Sequence, residues 1–186
     1  LMDDWKTDAE NGGIIEGNET IGEDTSLGPI KINGDLNLVN NATLTIEGTV
    51  YVTGNITFNN NINVELASSY ENKSGIIIAD GTITLKNNIL FSGAGDGSYI
   101  ILISALNDTV NDAIVLYNYS DASILYAPHG IINLVNNVSL HQASAYKLNL
   151  SNNVELHYET GLTDISFSSG PSGGWSKIKG TWQIIE

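Results

Sequence analysis

Short triplets of apolar, polar and apolar residues recur along this chain, each followed by a pair of asparagines. Leu36-Asn37-Leu38 precedes Asn40-Asn41, Ile56-Thr57-Phe58 precedes Asn60-Asn61, and Ile83-Thr84-Leu85 precedes Asn87-Asn88. Ile132-Asn133-Leu134 and Leu148-Asn149-Leu150 lead in the same way into Asn136-Asn137 and Asn152-Asn153. A glycine stands two residues before four of these triplets, at Gly34, Gly54, Gly81 and Gly130, and an apolar residue follows three after each second Asn, at Leu44, Val64, Phe91, Leu140 and Leu156. Alternation with period two marks a short half-buried strand. Paired Asn marks a corner, because Asn tolerates the left-handed region and bonds its own backbone. The glycine marks a second corner, where a positive φ or close packing is expected.

One repeat therefore reads strand, corner, strand, corner. From Asn40 the pairs recur after 20, 27, 49 and 16 residues. The short intervals fit one coil of a solenoid. The longest is expected to hold an additional coil, with strands at Tyr99-Ile100-Ile101-Leu102-Ile103 and Ile114-Val115-Leu116-Tyr117. The fold class predicted is all-β, a right-handed single-stranded parallel β-helix with capped ends. Its stacked coils would align Leu, Ile and Val inside and Asn in a ladder at one corner. A β-sandwich is the alternative, but it would need antiparallel hairpins in place of one recurring corner.

Three regions are expected. Residues 1–28 lack the repeat and form an acidic N-terminal segment, with a helical turn over Asp3 to Glu10, covering one end of the solenoid. Residues 29–167 form the β-helix. Residues 168–186 form a Gly-rich loop followed by strands Trp175-Ser176-Lys177-Ile178 and Thr181-Trp182-Gln183-Ile184, which cover the other end, since open sheet edges need protection.

Charge narrows the function. Seven Lys, no Arg and 21 acids give a net charge of −14, and eight of the acids fall in the first 24 residues. Nucleic-acid binding needs a basic footprint, so no nucleic-acid partner is expected. Charged residues make up 15% of the chain, against roughly 25% in a typical domain; Asn, Ser, Thr and Gly supply the polarity instead. The absence of cysteine excludes disulfides and thiolate chemistry. No apolar run approaches the roughly 18 residues of a membrane span. The chain begins at Leu1 rather than Met, so an upstream segment is expected, and any membrane attachment would run through it.

The stretch Leu125-Tyr126-Ala127-Pro128-His129-Gly130, continued by Ile132-Asn133-Leu134, Leu148 to Asn153, Val154-Glu155-Leu156-His157-Tyr158-Glu159 and Leu162, resembles a bacterial family. It is similar to the C-terminal β-helix domain of PilX-type, type IV pilus-associated proteins, as is the ending from Gly173-Gly174-Trp175 to Trp182-Gln183-Ile184. The likeness covers roughly residues 75–186. It implies a β-helix on a pilus-like or cell-surface assembly, extracellular, with other surface or pilus subunits as partners; glycans are a further candidate partner. Members carry a pilin-like hydrophobic helix upstream. The family has no established catalytic residues, so none carries over.

Many β-helices cleave polysaccharides, which requires two carboxylates across a groove. Asp80, Asp96, Asp121, Glu155 and Glu159 are the candidates on or beside repeat strands, and none recurs in a paired arrangement. The expectation is a non-enzymatic structural or adhesive domain without cofactor; the alternatives are a carbohydrate-binding or polysaccharide-cleaving β-helix and a self-assembling scaffold stacked end to end. His141 and His157 follow Leu140 and Leu156 and could stack one coil apart. With Glu155 or Glu159 they could hold zinc, although equivalent positions stack in any solenoid. His129 sits in the Pro-x-Gly corner, where any polar residue serves. Asp96, in the loop Gly93-Ala94-Gly95-Asp96-Gly97-Ser98, resembles a single copy of a calcium repeat. Tyr117, Tyr119, Tyr126, Tyr146 and Tyr158 are the candidates for contact with sugars or surfaces. Glycosylation acceptors of the form Asn-x-Ser/Thr occur at Asn18, Asn41, Asn55, Asn72, Asn107, Asn118, Asn137 and Asn149. Composition alone predicts roughly four; strand alternation, which puts residues two apart on one face, explains part of the excess.

Overall fold

The computed structural model describes residues 2–118 and 120–157 and the strand fragments Phe167–Ser168 and Gly174–Trp175; for residues 121–123 and the two fragments it describes the backbone alone. The period-two segments form strands, and the strands stack in parallel into a solenoid-like sheet with three faces. The first pass supplies β1 (Ile14–Glu16), β2 (Glu19–Ile21) and β3 (Thr25–Leu27), one to each face. The second supplies β4 (Ile30–Asn33), β5 (Leu36–Leu38) and β6 (Thr43–Ile46), and the third β7 (Val50–Val52), β8 (Ile56–Phe58) and β9 (Asn63–Leu66). The fourth supplies β10 (Gly75–Ala79), β11 (Ile83–Leu85) and β12 (Leu90–Ser92).

The extra coil expected in the long interval follows as β13 (Ile100–Ser104) and β14 (Asp108–Leu116). Beyond it the strands run through the corners. β15 (Asp121–Val135) pairs at Asp121 with Leu90 on the third face, at Ile124 with Ile101 on the first, and at Ile132 with Ile114 on the second. β16 (Val138–Ser151) repeats that course, and β17 (Val154–Leu156) closes the last described pass.

Every pairing among these strands is parallel, and the register keeps equivalent residues in columns. On the second face Leu36, Ile56, Ile83, Ile114, Ile132 and Leu148 stand one above another. The same columns form the main core: Leu38, Phe58, Leu85, Leu116 and Leu134 are fully buried, as are Leu44, Ile46 and Leu140 from the third face. Successive positions in the Leu36 column lie 20, 27, 31, 18 and 16 residues apart. The longer passes lodge their extra residues in the connections 67–74 and 93–99 and in the stretch 105–113, where β14 shifts register, so the column register survives.

The N-terminal region departs from expectation in two ways. Residues 14–27, expected to belong to a cap, pair in the same sheet as the repeats through β1, β2 and β3. The helix is longer than a turn, α1 (Met2–Gly12), and it lies along the first face rather than over an end. Asp3 and Asp4 in its first turn suit the helix dipole, and Met2, Trp5 and Ala9 form one apolar stripe. That stripe packs with the outward residues of the first face: Tyr51, Ile76, Ile78, Ile101, Ile103 and Ile124, flanked by Tyr126. The physical reason is the apolar exterior of that face, which has to be removed from water. Eleven residues of helix span about 16 Å, the height of three to four strands at about 4.8 Å spacing.

The end pass can meet water because Glu19 and Thr25 occupy its inward positions, in register with Leu36 and Leu44. Inward-pointing polar residues blunt a sheet edge. The last described pass is unlike it. Its inward-column residues Leu148, Leu150 and Leu156 are apolar and 38–52% exposed. The expected Trp175 and Trp182 strands fall mostly outside the described residues; Gly174–Trp175 pairs antiparallel with Phe167–Ser168.

Candidate functional site

The paired asparagines build the most regular polar feature of the surface. Asn40, Asn41, Asn61, Asn88, Asn136, Asn137, Asn152 and Asn153 all take φ between 51° and 63°, the left-handed conformation that Asn tolerates best among non-glycine residues. In the passes that carry the Asn pair, the corner between the second and third faces thereby turns without glycine. The side chains bond along the stack: Asn61 Nδ2 donates to Asn41 Oδ1 at 3.0 Å, and Asn88 Nδ2 to Asn61 Oδ1 at 2.9 Å. A second column runs beside it, with Asn87 donating to Asn60 and Asn118 to Asn87, both at 2.9 Å. Asn152 and Asn153 donate in turn to Asn136 and Asn137. The ladder stands at the corner, with these amides bonding to their equivalents one pass away.

The glycine corner, between the first and second faces, carries a similar column. Asn18 Oδ1 accepts from the Asp35 amide, Asp35 Oδ1 from the Asn55 amide at 2.7 Å, and Asn55 Oδ1 from both the amide and the hydroxyl of Thr82 at 2.9 Å. Close approach explains most of these glycines: a Cβ on Gly34 would lie 2.5 Å from the Gly17 carbonyl, and one on Gly81 2.8 Å from the Gly54 oxygen. Only Gly17, at φ 91°, takes a left-handed conformation in this column.

A charged node among the described residues had no signal in the repeat. Asp80 accepts from Lys6 Nζ through one carboxylate oxygen and from the Tyr51 hydroxyl through the other, both at 2.5 Å. Lys6 Nζ sits 4.9 Å from the Tyr51 ring centre, and Lys31, which bridges to Glu10 at 3.0 Å, sits 5.8 Å away. Burial, then the hydrogen bond to Asp80, pushes the Tyr51 hydroxyl well above its ordinary pKa. This node fastens α1 to the first face and leaves Asp80 committed there.

The remaining candidates are dispersed. Asp96 is exposed in its loop, which is closed by Ser98: the Ser98 hydroxyl donates to the Lys73 carbonyl at 2.6 Å and accepts from the Ala94 amide. Glu155 pairs with His157 at 3.3 Å on the open surface. The side chain of Asp121 and all of Glu159 lie outside the described residues. His141 does precede His157 by one pass, since the His157 amide donates to the Leu140 carbonyl. The His141 ring, however, packs 5.0 Å from that of Tyr99. Among the described residues no three His, Cys, Asp or Glu side chains come together as a metal site. His129 is exposed.

Among the tyrosines, Tyr126 packs on the helix-covered cluster. Tyr117 and Tyr146 are exposed, but they stand at different corners and make no common platform. Tyr119 and Tyr158 lie outside the described residues. Grooves on the described surface include one of about 370 Å³ at the Glu19 end, one of about 520 Å³ between Asn137 and Glu155, and one of about 290 Å³ beside α1, lined by Met2, Trp5, Ile101, Ile103 and Tyr126. No helix among the described residues is long and apolar enough to cross a membrane.

Compared with known proteins, the chain matches no family model, no curated protein and no solved structure.

Proposed function

We propose that this chain is a right-handed, single-stranded parallel β-helix that serves as a non-enzymatic structural or adhesive module of a pilus-like or cell-surface assembly, outside the cell. The observation that carries this reading is where the polar side chains go. At the two repeating corners they bond to their equivalents one pass away. Such columns stiffen a rod and repeat its surface at a fixed spacing, as a scaffold needs. The resemblance of residues 75–186 to PilX-type domains points the same way, with other surface or pilus subunits as partners and glycans as a further candidate.

Immunogold labelling of native cells tests it. Gold on filaments or their tips is the expected result. Gold spread over the envelope, or protein found only in the medium, would sink the pilus role and bring polysaccharide binding or cleavage forward.

A second reading, a scaffold stacking end to end, is favoured by the exposed inward-column leucines Leu148, Leu150 and Leu156 of the last described pass. Sedimentation velocity of the whole chain separates the two, since stacking makes the sedimentation coefficient climb with concentration.

A further inference from the structure

We infer that one of the eight Asn-x-Ser/Thr sites, Asn107, is the N-glycosylation acceptor of the folded chain. An acceptor must offer a free amide and a free hydroxyl two residues later, on a backbone segment accessible to the enzyme. Six sites fail because the amide or its backbone is already engaged. Asn55 and Asn118 donate to Asp35 and Asn87. The side-chain oxygens of Asn18, Asn41 and Asn137 accept from Asp35, Asn61 and Asn153. Asn149 lies within β16, paired in register with Asn133.

Asn72 has a free, exposed amide, but its partner Ser74 is fully buried and accepts from the Tyr99 amide at 3.0 Å. Only Asn107-Asp108-Thr109 meets both conditions. Asn107 and Thr109 are exposed, and neither side chain makes a hydrogen bond. They flank Asp108 at the entry to β14, where Asp108 pairs in register with Gly130 and the strand then shifts register. Asp108 holds the segment in place: its carboxylate accepts from the Val110 and Asn111 amides and from Asn111 Nδ2 at 2.7–3.0 Å. Asn107 itself lies in the connection between β13 and β14, and β14 shifts register between Asp108 and Ile114.

The co-reactant is a polyprenyl-diphosphate-linked oligosaccharide delivered by an oligosaccharyltransferase. Asn107 Nδ2 attacks C1 of the first sugar, the C1–O bond to the diphosphate breaks, and the amide proton leaves with the polyprenyl diphosphate. A surface location would bring the chain to such an enzyme, so the biological role of the site rests on the reading above. The test does not.

The natively folded full chain is incubated with a purified oligosaccharyltransferase and its lipid-linked donor, then read by intact mass and glycopeptide mapping. One added glycan at Asn107, lost in Asn107→Gln and in Thr109→Ala and kept in Thr109→Ser, is expected. An unmodified mass, or a glycan on any ladder asparagine, would overturn the assignment. Because enzyme and donor are supplied, this outcome is independent of where the chain resides, and the surface reading is judged separately by the labelling of cells.

Discussion

The first and second faces share inward columns of Leu, Ile and Val yet have opposite exteriors. On the second face the outward column reads Thr20, Asn37, Thr57, Thr84, Val115, Asn133 and Asn149, polar except at Val115. On the first it includes Tyr51, Ile76, Ile78, Ile101, Ile103 and Ile124, and α1 lies over it. Strands that alternate are buried on one side, whereas strands that read as unbroken apolar runs are buried on both. The difference shows that an unbroken run inside a repeat signals a covering element, here the helix.

The largest test of this contrast removes the helix's main anchor. Trp5→Ala is expected to lower unfolding stability by about 3–5 kcal/mol, while Thr84→Ala on the second face changes it by less than about 0.5 kcal/mol. Equal effects in urea denaturation would mean the helix adds nothing to the first face.

A smaller loss is expected at the solvent-facing corner. Asn61→Ala gives up the ladder bonds and forces a Cβ residue without a polar group into φ 59°, costing about 1–3 kcal/mol. Asn61→Gly relieves the backbone strain and should be the milder of the two. If both variants melt alike, the left-handed corner is not what the asparagine supplies.

Asp80→Asn weakens the clamp on α1. The pair is partly exposed, so a loss of at most about 1 kcal/mol is expected, and it should shrink in high salt. A loss that is insensitive to salt would move the clamp's contribution from charge to packing.

The smallest effect is expected in alkali. The Tyr51 hydroxyl is held protonated in the folded chain by burial and by Asp80, whereas an unfolded tyrosine ionises near about pH 10. Above that pH the unfolded chain binds fewer protons than the folded one, so stability is present below about pH 10 and declines as the pH rises further. Tyr51→Phe should decline less steeply. Parallel pH profiles would show that the phenol titrates alike in both states.

Much of this was legible in the residues. The triplets, the Asn corners and the extra coil at 99–117 follow from period-two alternation and from a residue that accepts positive φ, both local properties. The course of α1 was harder to read. Asp3 to Glu10 looks like a helical turn, but its place beside the first face rather than over an end depends on contacts with residues 51 to 126. The unbroken runs Ile76-Ile77-Ile78 and Ile100-Ile101-Leu102-Ile103 carried that signal. Candidate sites fared differently: five tyrosines in the second half of the chain suggest a platform, yet the corners separate Tyr117 from Tyr146 and the helix cluster takes Tyr126.

By itself, the sequence determined where strands start and where the chain turns, because hydrophobic alternation and the left-handed tolerance of Asn act over a few residues. Tertiary structure alone decided which polar groups are engaged. Whether an Asn amide is free depends on the residue one pass away, 16 to 31 positions distant along the chain. That inter-pass register commits the ladder asparagines and leaves Asn107 in the open.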